Sequence, residues 1–505
     1  GYQKHKPRYP KQQFMKNQVQ LITYIDRLGG GNLQQLTQLL EGPLKGVFGG
    51  VHLLPFFDAI DGADAGFDPK DHTRVDPRLG DWDDIRALTA VVDVMADAIV
   101  NHMSSESPQF QDYLAHGDAS PYAGLFLSMG TVFPQGASEQ DLLAIYRPRP
   151  GLPFVSTVLG NGQKKMLWTT FTPQQIDIDV LHAQGQAYLA SILQRFADNG
   201  IRMIRLDAAG YAIKKAGTSC FMLPETFDFI AAFAAQAQSM GMEVLVEIHS
   251  YFQRQIEIAK RVDWVYDFAL PPLVLHTFFF GNSQALKDWI RVRPENALTV
   301  LDTHDGIGII DIGADPADRA QHPGLLPPHA LDQLVERIHT NSNGQSRQAT
   351  GAAASNLDLY QVNCTFYDAL GRNDRAYLLA RAIQLFMPGV PQIYYVGLLA
   401  GENDMDLLAH SGVGRDSNRQ RFSPADIEAA LQKPVVRDLL ALIRLRNTCN
   451  AFNGSFRLLE SSDTTLHLQW VCGAATAELF IGFSDLSYRI ACDDGAGGYV
   501  HTFHA

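Results

Sequence analysis

The chain has 505 residues, 46% of them apolar and 19% charged, with 42 glycines and 25 prolines. This composition is that of a folded globular protein and excludes the disordered and collagenous classes; at about 150 residues per domain the length allows about three domains. Lysines and arginines number 41 against 54 aspartates and glutamates, so the formal net charge of −13 excludes the positive field that holds nucleic acid.

Residues 1–14 are basic, Gln-rich and without pattern, and read as an expression leader ending before Met15, with no apolar signal-peptide core behind it. Eight short apolar or β-branched runs then recur, at 19–25, 50–54, 94–100, 201–206, 244–248, 264–268, 298–301 and 392–396. Between several of them lie segments with a 3.6-residue apolar period, at 33–40, 187–197, 224–240 and 377–386. Continuous apolar strands alternating with helices predict parallel strands buried on both faces, that is, an α/β fold of the (β/α)8 TIM-barrel type.

Two gaps are too long for ordinary connections, one after the third strand and one after the seventh. The expected barrel therefore comprises residues 15–99, 182–306 and 372–451, interrupted by inserted subdomains at 100–181 and 307–371. The Gly/Ala/Ser/Asn stretch at 344–356 reads as a mobile loop. From 452 to 505 alternating apolar and polar residues predict a small C-terminal β domain. The longest apolar stretch, 268–280, is broken by Pro271, Pro272 and His276 and falls short of the roughly 18 residues of a membrane span. Five cysteines, odd in number, far apart and without a C-x-x-C pair, read as thiols in a reducing cytoplasm.

Barrel enzymes carry their chemistry at the C-terminal ends of the strands. Three acidic residues fall there: Asp207 in GIRMIRLDAAGY, Glu247 in MEVLVEIHS and Asp305 after LTVLDTH. A charge at the rim of an apolar barrel is costly unless solvated, paired or used. One alone is a helix cap or a surface ion pair; three on separate strands, with Arg205 before Asp207 and His304 before Asp305, mark a site. Arg205 is expected to hold Asp207 ionised. A carboxylate nucleophile with a second carboxyl acting as acid and then base is the minimum set for retaining glycosyl transfer, with the two groups about 5 Å apart, although spacing alone does not choose the reaction. Walker, Rossmann, nucleophile-elbow and H-E-x-x-H motifs do not occur.

DAIVNH (97–102), GIRMIRLDAAGY (200–211), EIH (247–249) and LDTHD (301–305) resemble, in order, the four motifs of the α-amylase superfamily. GADAGFDPKDH (62–72), IYRPRPGLPF (145–154), FTPQQ (171–175), YDFALPP (266–272) and TGAAASNLDLYQVN (350–363) resemble more closely its sucrose phosphorylase family. The likeness fades in the C-terminal domain.

The resemblance implies a hexosyltransferase that converts sucrose and inorganic phosphate reversibly into α-D-glucose 1-phosphate and fructose through a covalent glucosyl-aspartate. It implies no cofactor and no metal, although amylases often hold calcium near the residue matching Asn101, and it implies a cytoplasmic homodimer without nucleic-acid or membrane partners. It makes Asp207 the nucleophile, Glu247 the acid and base, and Asp305 the residue that stabilises the transition state. It gives the glucose to Asp64, Phe67, His102, Phe171, Gln175, Arg205, Tyr211, His304, Asp358 and Arg415, with Asp64 and Arg415 able to pair. The acceptor, phosphate or fructose, falls to Arg149, Leu359, Tyr360 and Gln361, with Arg147 structural. Phosphorylases of sucrose 6'-phosphate, glucosylglycerol or glucosylglycerate are the alternatives, differing around Arg149 and residues 357–361, as is a sucrose hydrolase or transglucosylase.

Overall fold

In a computed structural model the described residues are 15–59, 64–351, 361–495 and 500–504, with Asp64 and 500–504 described through their backbone alone. Each of the eight expected runs contributes one strand: β1 (Gln20–Thr23), β2 (Gly50–Leu53), β3 (Asp93–Ile99), β4 (Met203–Asp207), β5 (Glu243–Val246), β6 (Trp264–Asp267), β7 (Ala297–Thr299) and β8 (Val390–Tyr394). They pair in parallel in sequence order, and β8 returns to β1 to close the barrel. The strands are buried almost throughout, as runs without alternation require. Inside the barrel Gln392 Nε2 donates to Gln20 Oε1 at 2.8 Å, joining β8 to β1 through their side chains.

The helices follow the apolar period. Leu33–Glu41 buries Leu33, Leu36, Leu39 and Leu40 and is capped by Asn32, whose side chain accepts from the Gln35 N–H. Ala183–Asp198, Pro224–Ser239 and Asp374–Phe386 coincide with the other three periodic segments.

Between β3 and β4, His102–Ser104 pairs antiparallel with Gln175–Asp177, and Phe154–Val158 forms a hairpin with Lys164–Trp168. Lys214 fastens this excursion to the barrel rim, its buried ammonium bonding Asp177 Oδ2 at 2.7 Å and Asn101 Oδ1 at 2.8 Å.

Between β7 and β8, Ile307–Gly308 pairs antiparallel with Gln361–Val362. One expectation is corrected here. Within the stretch read as a mobile loop, Gln345–Thr350 is a helix. Ser346 and Ala349 are buried, His339 Nδ1 lies 2.6 Å from Ser346 Oγ, and the Ser346 N–H donates to Ser342 Oγ, so tertiary contacts override weak local propensity. Residues 352–356 of that stretch lie outside the described residues.

The C-terminal segment is a five-stranded antiparallel sheet, β9 (Ser455–Leu459), β10 (Thr465–Cys472), β11 (Ala475–Gly482), β12 (Ser487–Asp493) and β13 (Val500–His504). It is tied to the barrel by Trp470 Nε1, which donates to the Phe386 carbonyl at 2.8 Å, and by Lys287 Nζ, which donates to the Ser462 carbonyl at 2.7 Å. A second expectation is corrected at this seam. Cys449, just after the helix Pro434–Thr448, is disulfide-bonded to Cys492 on β12, while Cys220, Cys364 and Cys472 are free thiols. The partners stand 43 residues apart, so only the docking of the sheet brings them together. Among the described residues no helix is long and apolar enough to cross a membrane.

Candidate active site

Strands β4, β5 and β7 end on one side of the barrel, and Asp207 at the end of β4, Glu247 just after β5 and Asp305 six residues beyond β7 meet in a single cavity. Asp207 and Arg205 share a face of β4 because side chains alternate along a strand. Arg205 Nη1 donates to Asp207 Oδ1 at 3.0 Å and to Asp97 Oδ1 on β3 at 2.8 Å, and its Nη2 lies 3.9 Å from Glu247 Oε2. Asp97 is also 3.0 Å from His52 Nε2. Burial alone would push the Asp97 carboxyl up, but Arg205 and His52 outweigh it and hold it low.

Arg205 bonds Asp207 directly, as expected, but one guanidinium serves three carboxylates. Burial pushes the Asp207 carboxyl up, the Arg205 charge pulls it down, and Glu247, Asp97 and Asp305 push it up further, so its net shift is upward. Asp207 and Glu247 face the same guanidinium, so the charge on Glu247 opposes the charge on Asp207.

Asp305 is the opposite case. Burial works against its charge, but the permanent cations Arg415 at 3.3 Å and Arg419 at 3.8 Å hold the carboxyl well below the usual range. His304 itself is driven down to about 3 by burial and stays neutral. The cavity thus contains one carboxylate fixed as an anion beside a pair that can hold a proton, the division of labour that acid–base chemistry needs.

The other expected residues fall as follows. Phe67, His102, Phe171, Tyr211, His304 and Arg415 line the cavity. The Phe67 ring stacks on His304 with centroids 5.1 Å apart, and its carbonyl is 2.8 Å from His102 Nε2, so the loop that carries it is fixed from two sides. Gln175 is buried behind this loop, its amide donating to the Phe67 carbonyl at 3.4 Å, and it does not line the cavity. Tyr211 packs edge-on against Phe171. Arg415 pairs with Asp305 and donates to Gln361 Oε1 at 3.4 Å. The Asp64 side chain, with its suggested bond to Arg415, and Asp358, Leu359 and Tyr360 lie outside the described residues, whereas Gln361 lines the cavity from the strand Gln361–Val362.

Arg149 also reaches the cavity, between Pro148 and Pro150. No carboxylate among the described residues pairs with it, and its Nε is buried without a hydrogen bond. Arg147 turns away and donates to the Leu142 carbonyl at 3.1 Å. A stiff loop thus points a guanidinium, unpaired with any carboxylate among the described residues, at the space beside Asp207 and Glu247, where its planar fork suits an oxyanion.

Sequence reasoning missed two residues. Arg419, four positions after Arg415, lines the cavity and donates to the His304 carbonyl at 2.9 Å; the R-x-x-x-R spacing on one turn was its signal. His249 lines the cavity two residues after Glu247, with Nε2 3.5 Å from Glu247 Oε1 and Nδ1 3.2 Å from Asp311 Oδ2, and EIH contained it without indicating a role.

Comparison with known proteins gives concordant matches. The family described as the catalytic domain of α-amylase matches residues 9–266. A sucrose phosphorylase of Agrobacterium vitis is 60% identical over 97% of this chain and 99% of its own length, and one of Bifidobacterium adolescentis is 55% identical over 90% of each. The crystal structure of a sucrose 6F-phosphate phosphorylase from Thermoanaerobacter thermosaccharolyticum superposes with a TM-score of 0.87 at 36% identity, covering 97% of this chain and 98% of that one.

Proposed function

The chain belongs to the α-amylase family, in its sucrose phosphorylase branch, and from that premise we propose that it catalyses the reversible phosphorolysis of sucrose to α-D-glucose 1-phosphate and fructose. In the first half-reaction an Asp207 oxygen attacks C1 of the glucosyl unit. The bond from C1 to the fructosyl oxygen breaks, and Glu247 gives that oxygen its proton. In the second, a phosphate oxygen attacks C1, the bond to Asp207 breaks, and the phosphate proton passes to Glu247. Two inversions at C1 give net retention.

Arg205 decides which member of the pair holds the proton. It donates directly to Asp207 at 3.0 Å and stands 3.9 Å from Glu247, so the charge belongs on Asp207 and the proton on Glu247 at the start of the cycle. Asp305, fixed as an anion, binds sugar hydroxyls and favours the oxocarbenium-like transition state as positive charge develops. Phe67, His102, Phe171, Tyr211, His304 and Arg415 hold the glucosyl unit, with Gln175 supporting Phe67; Asp64 and Asp358 join them on the family pattern alone. Gln361, with Leu359 and Tyr360 on the same pattern, meets the acceptor.

The observation that carries phosphate as acceptor is Arg149, whose guanidinium faces the cavity without a carboxylate partner among the described residues. A second reading, a phosphorylase of sucrose 6'-phosphate or another glucoside, draws on the 36% likeness to the sucrose 6F-phosphate enzyme. Sucrose incubated with and without inorganic phosphate decides between them, with glucose 1-phosphate, glucose and fructose followed separately. Glucose 1-phosphate formed in step with fructose supports the reading. Free glucose regardless of phosphate makes the chain a hydrolase, and untouched sucrose points to the other glucosides.

The proposal extends to the domain division at 100–181, 307–371 and 452–505 and to a homodimer in the cytoplasm. Leu143, Leu152 and Val158, exposed on the first insert, are apolar surface that pairing would cover, and light scattering tests it. In a reducing cytoplasm Cys449 and Cys492 would stand as two thiols.

A further inference from the structure

Asp311 is a buried carboxylate with one side-chain hydrogen bond among the described residues, and that bond goes to His249 Nδ1 at 3.2 Å. Its other oxygen, Oδ1, is buried without a partner. An isolated buried carboxylate is strongly disfavoured unless a positive charge stands beside it, and the imidazolium of His249 is the group in position to supply one.

The surroundings fix the pair. The His249 ring stacks on Phe268 with centroids 4.0 Å apart, so it cannot swing away from the cavity. Asp311 sits in the turn Ile310–Ile312 and comes close because Gly308 has no side chain; a Cβ there would lie 2.4 Å from Asp311 Oδ2. With Nδ1 on Asp311, the Nε2–H of His249 faces Glu247 Oε1 at 3.5 Å.

We propose that Asp311 is a positioning residue that keeps His249 doubly protonated, so that a fixed cation stands beside Glu247 on the acceptor side of the cavity and favours phosphate over water as the group that discharges the glucosyl-enzyme. The proposal rests on the phosphorolysis reading above and deepens it. A cation beside Glu247 attracts the anionic acceptor that discharges the glucosyl-enzyme, whereas neutral water gains little from it. The ionisable groups around His249 are Glu247 on its own segment, Asp311 and Asp305 beyond β7, and Arg149, Arg205, Arg415 and Arg419 around the cavity. Burial disfavours the His249 charge, but Asp311, then Glu247 and Asp305, outweigh it and raise the imidazole to about 9.

The test is Asp311→Asn, made in the full chain alone and combined with His249→Gln, and compared with wild type in both half-reactions. The expected result for D311N is about a tenfold loss in kcat/KM for phosphate, the size of one charge-assisted interaction, with a much smaller change in kcat/KM for sucrose. The alkaline limb of the phosphate profile is expected to lie at lower pH than in wild type, because the imidazole loses the carboxylate that holds its proton. The ratio of free glucose to glucose 1-phosphate rises. In the H249Q background D311N adds nothing to that ratio.

Equal losses for sucrose and phosphate with an unmoved alkaline limb make Asp311 merely structural and overturn the proposal, as does an additive effect in the double variant. If D311N does not fold, Gly308→Ala, which displaces the carboxylate without removing it, must give the same split. Wild type that forms no glucose 1-phosphate refutes the phosphorolysis reading itself, an outcome separate from failure of the variants.

Discussion

Asp207 and Arg205 lie two residues apart on the same face of β4 and are bonded at 3.0 Å, while Arg205 keeps a second bond, at 2.8 Å, to Asp97 on the neighbouring strand. Removing Asp207 therefore does not strand the guanidinium. Asp207→Ala is expected to lower turnover by at least about 10⁴-fold, the size of losing a nucleophile, while unfolding stays cooperative. Steady-state rates and a urea melt measure both; activity near wild type rules out Asp207 as the nucleophile.

Arg149→Ala removes a guanidinium that faces the cavity and pairs with no carboxylate among the described residues. KM for phosphate is expected to rise by about tenfold or more while KM for sucrose moves little, because the glucosyl unit is held by other groups. Equal rises in both constants would show that Arg149 only shapes the loop.

Burial drives His72 and His304 down to about 3, from an ordinary value of 6.5. Between those limits the unfolded chain binds protons that the folded chain refuses, so stability falls as pH drops below about 6.5 and stops falling for these groups near 3. Each imidazole contributes a slope of up to about 1.4 kcal/mol per pH unit. Urea midpoints across this range measure it; His72→Gln should flatten the slope, and a slope unchanged in that variant removes His72 from the account.

Lys214 is buried between Asp177 and Asn101. Lys214→Met leaves the Asp177 carboxylate without its cation, which costs about 3–5 kcal/mol and loosens the first insert from the rim. Hydrogen exchange over residues 154–168 should rise more than over β6 and β7, and uniform exchange would contradict the anchoring role.

The Cys449–Cys492 bond closes a loop across 43 residues, which chain entropy values at about 4 kcal/mol. Under a reductant, or in Cys449→Ser, the melting temperature is expected to fall while KM for sucrose holds, since the bond lies at the seam of the C-terminal sheet. A melting temperature indifferent to reductant means the pair stands open in solution.

What the sequence revealed and what it hid divide along physical lines. The barrel was legible because strands buried on both faces are written as continuous apolar runs, and the site because a carboxylate ending such a run is costly unless chemistry uses it. Local order stabilised from afar was not legible: Gln345–Thr350 is helical with Asn403 donating to Gln345 Oε1 and Asn363 Nδ2 to the Ala349 carbonyl, against its own Gly-rich context. Pairings between distant positions were hidden too. Nothing along the chain links Cys449 to Cys492, or His249 to Asp311 62 residues away. Arg205 was legible as a partner of Asp207, but its division between Asp207 and Asp97 appears only once β3 and β4 lie side by side.

The short pairing of Ile307–Gly308 with Gln361–Val362 brings the entry and exit of the second insert to adjacent points on the barrel rim. A segment stapled at its neck behaves as a cassette. Its interior can be lengthened, shortened or grafted from a relative with a different acceptor while the strands that carry Asp207, Glu247 and Asp305 keep their register. Exchange of that segment leaves Arg149 and the three carboxylates where they stand, since none of them lies between the two paired strands.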